Sequence, residues 1–254
     1  FYYSPTYSIN FIGDINNIGE IAFTRRDYFN FTGGFRAPSR SSGTSLNIGD
    51  NGIGFLLNQN NRAKDINTKF GAANFSYAPK KTLDISGFAI FSSTKTELQE
   101  NNSIEYTNPN LAIPNENTES ATSQKSDLGM LKLSAKYKPN VSNQLDYDIL
   151  GRLSSETQDQ NFFSSVIGNI NQLENSKPFS INQNSNYYYT LNEKNIFALE
   201  VQHLLKDEDP FYNAVLEEKT NYQGTANSLG LDNAQSGYNI AQEKRVKSNQ
   251  LDAK

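Results

Sequence analysis

The chain contains no cysteine. Disulfides, thiol chemistry and thiolate metal sites are therefore excluded. It has one histidine, His203, so no multi-histidine metal centre can form and no Ser-His-Asp order can be argued. A lone histidine in a strand reads as a packing or interface residue. There is no basic excess: 23 Lys and Arg stand against 27 Asp and Glu, a net charge of −4. That balance carries no nucleic-acid footprint. No run approaches the roughly 20 apolar residues of a membrane helix. No basic-then-apolar signal peptide opens the sequence. Sustained helical spacing of apolar residues is missing too. Apolar residues are only 36% and mean hydropathy is −0.66, yet aromatics reach 12% through 14 Tyr and 16 Phe. A disordered chain would lack those rings.

What the chain does have is period-two alternation, bounded by Pro, Asn, Ser and Gly clusters. The alternation predicts strands over 7–14, 68–78, 83–97, 127–138, 144–155, 184–190, 195–205 and 241–254. Short connections fall at 4–6, 79–82, 139–143 and 191–194. They alternate with long polar ones at about 15–67, 98–126, 156–183 and 206–240. Compact soluble domains rarely carry loops beyond about 12–15 residues. Outer-membrane barrels do so routinely, with short periplasmic turns and long extracellular loops. The longer strands approach the roughly ten residues that a tilted strand needs to cross an apolar band about 25 Å tall. Aromatic residues sit beside the short turns: Tyr3 and Tyr7, Tyr77, Tyr137 and Tyr147, Tyr189 and Phe197. Such rings suit the headgroup level of a bilayer. Both chain ends fall within alternation, so the sequence reads as an internal piece of a longer protein. The expected fold is all-β: an antiparallel transmembrane β-barrel, 1–254 forming part of one large barrel with no plug domain.

The hairpin around Pro139–Asn143 makes the pattern explicit. Leu131, Leu133, Ala135 and Tyr137 share one parity on the first arm, and Leu145, Tyr147, Ile149 and Leu153 share it on the second. These are expected to face lipid. Lys132, Ser134 and Lys136, with Asp146, Asp148 and Arg152, are expected to face a polar lumen. Pairing across a five-residue turn puts Lys136 opposite Asp146 as an ion pair, and Leu133 opposite Ile149.

Candidate chemistry is sparse, and no catalytic residue or cofactor site is predicted. Asp207, Glu208 and Asp209 are weak metal candidates, because three carboxylates in a row could serve a hard cation. Their spacing is not that of an EF-hand, and solvated loop charge is the simpler reading. The ligand-binding candidates are ring residues expected on long loops: Tyr28, Phe29, Phe31, Phe35, Phe162, Phe163, Phe211 and Tyr212. Rings there can stack on sugars or cap apolar cargo, or they can pack the loops together. Arg25-Arg26-Asp27 reads as a local ion pair or an anion clamp. The glycine-rich stretch 49–55 reads as a loop, and Gly33-Gly34 as a turn or close backbone approach. Asn30-Phe31-Thr32 formally allows glycosylation.

Several stretches resemble a known family. They are SPTYSINFIGDINNIGEIAFTRRDYFNFTGGFR, IFALEVQHLLKDEDPFYNAVLEEK and GYNIAQEKRVKSNQLDAK. The marks are Asn-Asn after a strand, Arg-Asp-Tyr before Phe-x-Gly-Gly-Phe, and Asp-Glu-Asp-Pro-Phe-Tyr after a strand. In these the chain resembles the barrel of Bacteroidetes-type TonB-dependent receptors and related outer-membrane β-barrel proteins. The resemblance implies a barrel segment of about 22 strands in all, placed in the bacterial outer membrane. It implies uptake of a ligand of siderophore, glycan or peptide class. The implied partners are outer-membrane lipid, a surface lipoprotein or outer-membrane complex subunits. An inner-membrane energy-transducing motor joins them only if a plug exists elsewhere in the protein. The alternatives are a non-transporting structural or accessory barrel in an assembly or secretion complex, and a soluble β-rich adhesin.

Overall fold

In a computed structural model of the chain, residues 2–18, 63–106, 114–218, 222–230 and 237–254 are described. They form an all-β molecule dominated by one antiparallel sheet of 12 strands, which hydrogen bonds do not close into a barrel. The strands are β1 (Tyr2–Tyr3), β2 (Tyr7–Asn16), β3 (Ala63–Lys80), β4 (Leu83–Ile104), β5 (Glu116–Asn140) and β6 (Asn143–Ser164). They continue as β7 (Gly168–Ser176), β8 (Phe179–Asn192), β9 (Asn195–Glu208), β10 (Phe211–Leu216), β11 (Tyr238–Glu243) and β12 (Val246–Ala253). One short helix, α1 (Gln223–Ser228), lies between β10 and β11.

Strand pairing divides after β6, but the register shows no real fork. Leu153 opposes Phe179 and Glu156 opposes Ser176, so β8 and β7 are one ribbon interrupted at Lys177-Pro178. Likewise Phe179 opposes Asp207 and Asn175 opposes Phe211, so β9 and β10 are one ribbon interrupted at Asp209-Pro210. β11 and β12 are a third, with Glu243 on Phe211 and Val246 on Glu208. The three breaks lie side by side. Proline cannot donate to the ladder, yet each proline carbonyl still accepts: Ser154 N–H to Pro178 at 3.0 Å and Lys244 N–H to Pro210 at 3.1 Å. The architecture is therefore a plain meander in which every ribbon pairs only with its chain neighbours. Among the described residues, β2 beyond its pairing with β1 and the far side of β11–β12 are open edges.

The short turns sit where the sequence places them, but they are tighter. β3–β4, β5–β6 and β8–β9 close through two residues, with Lys80 opposite Leu83, Asn140 opposite Asn143 and Asn192 opposite Asn195. The latter two share one device. The Asn140 side-chain oxygen accepts from Ser142 N–H at 3.0 Å and from Asn143 at 2.9 Å. Asn192 accepts from Lys194 and Asn195 at the same distances, 3.0 and 2.9 Å. An asparagine that bonds the backbone two residues on is a turn initiator.

The expected long loops are where the sequence reading fails. Residues 98–126 and 156–183 are mostly strand: β4 runs 22 residues, β5 runs 25 and β6 runs 22. β6 and β7 even meet through a tight turn, Ser165–Ile167, at the end expected to carry only long loops. Residues 206–240 contain β10 and α1 rather than loop alone. The expected loop 15–67 lies largely outside the described residues. The cause is compositional. Past Phe91, Leu128 and Leu153 both faces of these ribbons become mostly Ser, Thr, Gln, Asn and charge, so apolar alternation fades while the ladder continues.

Directly opposed residues share a face, so the register sorts every side chain. All buried strand residues fall on one face, here termed inner. Its densest patch is three neighbouring rows on β3–β5: Phe70 and Leu128 flanking Ser92, Ala72 and Met130 flanking Ile90, and Phe88 beside them. A second patch joins Ala214, Leu216 and Tyr238 to Ala226 of α1. The outer face is the reverse. It presents large apolar side chains that are exposed, such as Phe11 at 71%, Leu153 at 61% and Leu251 at 68%.

Gly87 belongs to that outer face, between Phe75 and Leu133. A Cβ there would meet the Lys132 carbonyl oxygen at 2.5 Å and the Phe75 and Leu133 side chains at 2.9 Å. Gly129, on the same face, has nothing closer than 4.0 Å. Gly87→Ala is therefore expected to destabilise by about 1–3 kcal/mol, the range for forced overpacking, while Gly129→Ala stays nearly neutral. Urea unfolding of the two variants side by side checks this.

Candidate functional site

The hairpin predicted from parity is present. Leu133 opposes Ile149, Ala135 opposes Tyr147 and Tyr137 opposes Leu145, all on the outer face, with Leu131 and Leu153 on the same face. Lys132, Ser134, Lys136, Asp146, Asp148 and Arg152 fall on the inner face. Lys136 does oppose Asp146. The expected ion pair between them does not form among the described contacts. Asp146 instead accepts from Gln144 at 2.8 and 3.0 Å. The paired carboxylate is Asp148, which lies 3.6 Å from Lys132 and accepts from Ser134.

The inner face beyond this hairpin is a polar surface. β8 contributes Ser180, Asn182, Asn184 and Asn186, opposed on β9 by Lys206, Leu204, Gln202 and Glu200. β12 continues the rows with Ser248, Gln250 and Asp252. Arg152 sits at the upper end of this field, opposite Ser180 and Met130. Arg152 Nε and Asn182 Oδ1 are buried atoms without a hydrogen-bond partner. Amide, hydroxyl and guanidinium groups in this density can hydrogen-bond a polar ligand or peptide segment.

The remaining candidates do not converge. Phe162 and Phe163 are strand residues of β6 on opposite faces, not loop rings. Phe211 and Tyr212 are likewise consecutive in β10. Tyr212 packs inward against the cluster around α1. Strand pleating separates each pair by construction. Asp207 and Glu208 fall on opposite faces for the same reason, and Asp209 lies in the break before Pro210. Asp207 is bracketed outward by Lys247 at 3.4 Å and Arg245 at 3.5 Å, while Glu208 takes Lys206 at 2.7 Å on the inner side. Among the described residues no three such groups could hold a metal ion. Tyr28, Phe29, Phe31 and Phe35, the Arg25–Asp27 group, Gly33-Gly34, Asn30–Thr32 and the 49–55 stretch lie outside the described residues.

Charge appears on the outer face just past the apolar rows. Lys95 pairs with Glu97 at 2.8 Å, and Lys125 with Asp127 at 3.2 Å. Hydrogen bonding to Lys95 holds Glu97 below the ordinary carboxylate value, and hydrogen bonding from Ser93 does so for Asp127. A depressed carboxylate contributes stability above its ordinary pKa and loses it as pH falls through the folded value. The protection factors of amides 93–97 and 123–127, corrected for the intrinsic pH dependence of exchange, are therefore expected to fall below about pH 4, with those of 85–91 unchanged. Hydrogen exchange at two pH values tests this.

No family model, curated protein or solved structure matches this chain. Among the described residues, no helix is long and apolar enough to cross a membrane, which leaves crossing by strands open.

Proposed function

We propose that this sheet is a wall segment of a transmembrane β-barrel in the bacterial outer membrane, with its inner face lining a path for a polar ligand. The observation that carries the reading is the exposure of large apolar side chains along the outer face, while the inner face, beside its apolar patch on β3–β5, is mainly amide, hydroxyl and charge on β6, β8, β9 and β12. A soluble sheet would bury the apolar rows. The outer apolar row from Leu83 to Phe91 rises about 20 Å at a strand tilt near 40°, and the outward row from Tyr189 to Phe179, apolar at both ends with Ser185 and Gln183 between, about 25 Å, close to the apolar band of such barrels. Six of the turn-side rings, Tyr7, Tyr77, Tyr137, Tyr147, Tyr189 and Phe197, face outward at one end of these rows. The uptake role, with siderophore, glycan or peptide cargo, rests on the polar inner field and the family resemblance. A non-transporting accessory barrel is the second reading. It is favoured by the polar upper reach of β4–β6, which would stand clear of the apolar band as a docking platform.

The deciding experiment is extraction. The chain should require detergent, float with phosphatidylcholine vesicles and resist carbonate. A monodisperse detergent-free form would end the membrane reading. With insertion established, ligand-dependent protection of Asn182, Asn184 or Arg152 separates uptake from the accessory role.

A further inference from the structure

Arg152 is a half-buried inner-face cation that the fold leaves without a partner. On β6 it is opposed by Met130 and Ser180, both uncharged. Among the described residues it makes no ion pair and no hydrogen bond, and its Nε is a buried atom. The neighbouring cations are held: Lys206 by Glu208 at 2.7 Å and Lys132 by Asp148 at 3.6 Å. Glu156 and Glu208 act on Arg152 electrostatically, but neither carboxylate pairs with it. A guanidinium withdrawn from water without an anion beside it is costly. Two further polar atoms close by are also buried and unpaired. Asn182 sits on β8 diagonally from Arg152, opposite Leu150, and its Oδ1 has no donor. Ser154, two residues along β6 on the same face, is 8% exposed, and its hydroxyl has no partner. Its backbone N–H is already given to the Pro178 carbonyl at 3.0 Å. In the row of Arg152 only the short Ser180 side chain separates it from Lys206 on β9, two strand spacings or about 10 Å away at the backbone.

Resting on the uptake reading above, we propose that Arg152, Asn182 and Ser154 form a binding site for a carboxylate that carries a hydrogen-bond donor a few bonds away. The Nε–Nη edge of a guanidinium donates two parallel hydrogen bonds to the two oxygens of a carboxylate. The Asn182 oxygen only accepts, so the ligand brings an O–H or N–H to it. Diagonal neighbours on paired strands lie about 7–8 Å apart, which puts that donor within a few bonds of the carboxylate. The Ser154 hydroxyl can donate to the ligand or accept from it. Glu156 and Glu208 limit the charge the site will take. They repel a phosphate dianion more than a monoanion, so carboxylate is the class that fits. Sugar acids and free peptide C-termini both have this pattern, with a hydroxyl beside the carboxylate in one and an amide N–H in the other.

Urea unfolding of the full chain in dodecyl maltoside micelles, followed by circular dichroism at matched ionic strength, reads the site. A ligand bound only by the folded form raises the midpoint. The probes are trigalacturonate and trialanine, each beside its neutral form, the methyl ester and the C-terminal amide. One acid should raise the midpoint, and its neutral form should need about tenfold more ligand for the same shift. Which acid does so distinguishes sugar from peptide. Without ligand, Arg152→Met should keep or raise the midpoint, because it removes an unpaired, partly buried charge. With ligand, it should erase the difference between acid and neutral form. Arg152→Lys should keep part of that difference, and Asn182→Leu should weaken the acid. Equal shifts with acid and neutral form would overturn the carboxylate class and leave the polar path standing. A larger shift with inorganic phosphate than with either acid would do the same. A lower midpoint for ligand-free Arg152→Met would mean that Arg152 serves the fold, and would overturn its assignment to a ligand. No shift with either acid would overturn the site. The uptake reading would then rest on ligand-dependent protection of Asn184, which lies outside it.

Discussion

Leu133→Arg is expected to cost about 2–4 kcal/mol of folding stability in a bilayer, the range for a cation on the lipid side of a barrel near the midplane. Leu133 stands in the middle of the outer row, with Ile149 and Gly87 beside it, and is exposed. In water an arginine at an exposed strand position would cost little. The size of the effect therefore reports the solvent of that face rather than its packing. The neighbouring Lys132→Gln supplies the contrast. Lys132 lies on the inner face, and its 3.6 Å contact with Asp148 is partly exposed. Losing a pair of this kind typically changes stability by less than about 1 kcal/mol. Denaturant titration of both variants folded into phosphatidylcholine vesicles gives the comparison. Equal costs at the two positions would mean that the outer row does not face hydrocarbon.

Leu128→Ala is expected to cost about 2–4 kcal/mol, within the usual span for a fully buried leucine truncated to alanine. Leu128 is 1% exposed on the inner face and lies directly between Ser92, at 0%, and Ser154. The Ser92, Ser126 and Ser154 hydroxyls are buried without hydrogen-bond partners. A void opened among them would be polar on several sides and so could admit a water. That places the expected cost in the lower part of the span. Leu131→Ala, one strand face away and half-exposed, should cost clearly less in detergent. Urea unfolding midpoints of the two variants decide the matter, and a larger loss at Leu131 would contradict the one-sided burial.

Parity along 131–137 and 145–153 was enough to give the register, because a slip of one residue would turn every apolar side chain to the wrong face. The positions of the short turns were legible from the breaks at 139–143 and 191–194, though not that Asn140 and Asn192 close them through two residues. The ribbon ends were not. Pro178 and Pro210 look like strand terminators, and the polar stretches around them look like loops. The ladder passes both prolines because neighbouring ribbons are already in register and each proline still offers its carbonyl. The aromatic loop candidates failed for a related reason: Phe162-Phe163 and Phe211-Tyr212 are adjacent in sequence, and a strand sends adjacent residues to opposite faces.

By itself, the sequence settled which side chains of 131–137 and 145–153 share a face, where the short turns near 79–82, 139–143 and 191–194 fall, and that no thiol or multi-histidine chemistry is available, since each depends on residue type and on neighbours within a few residues. Only the tertiary structure decided that the inner face carries an apolar patch at Phe70, Phe88 and Leu128, and that Tyr147, Gln183, His203 and Asn249 meet. Those groupings join residues on ribbons far apart in the chain. Their contacts exist only once hydrogen bonding between ribbons fixes how far each slides past the next.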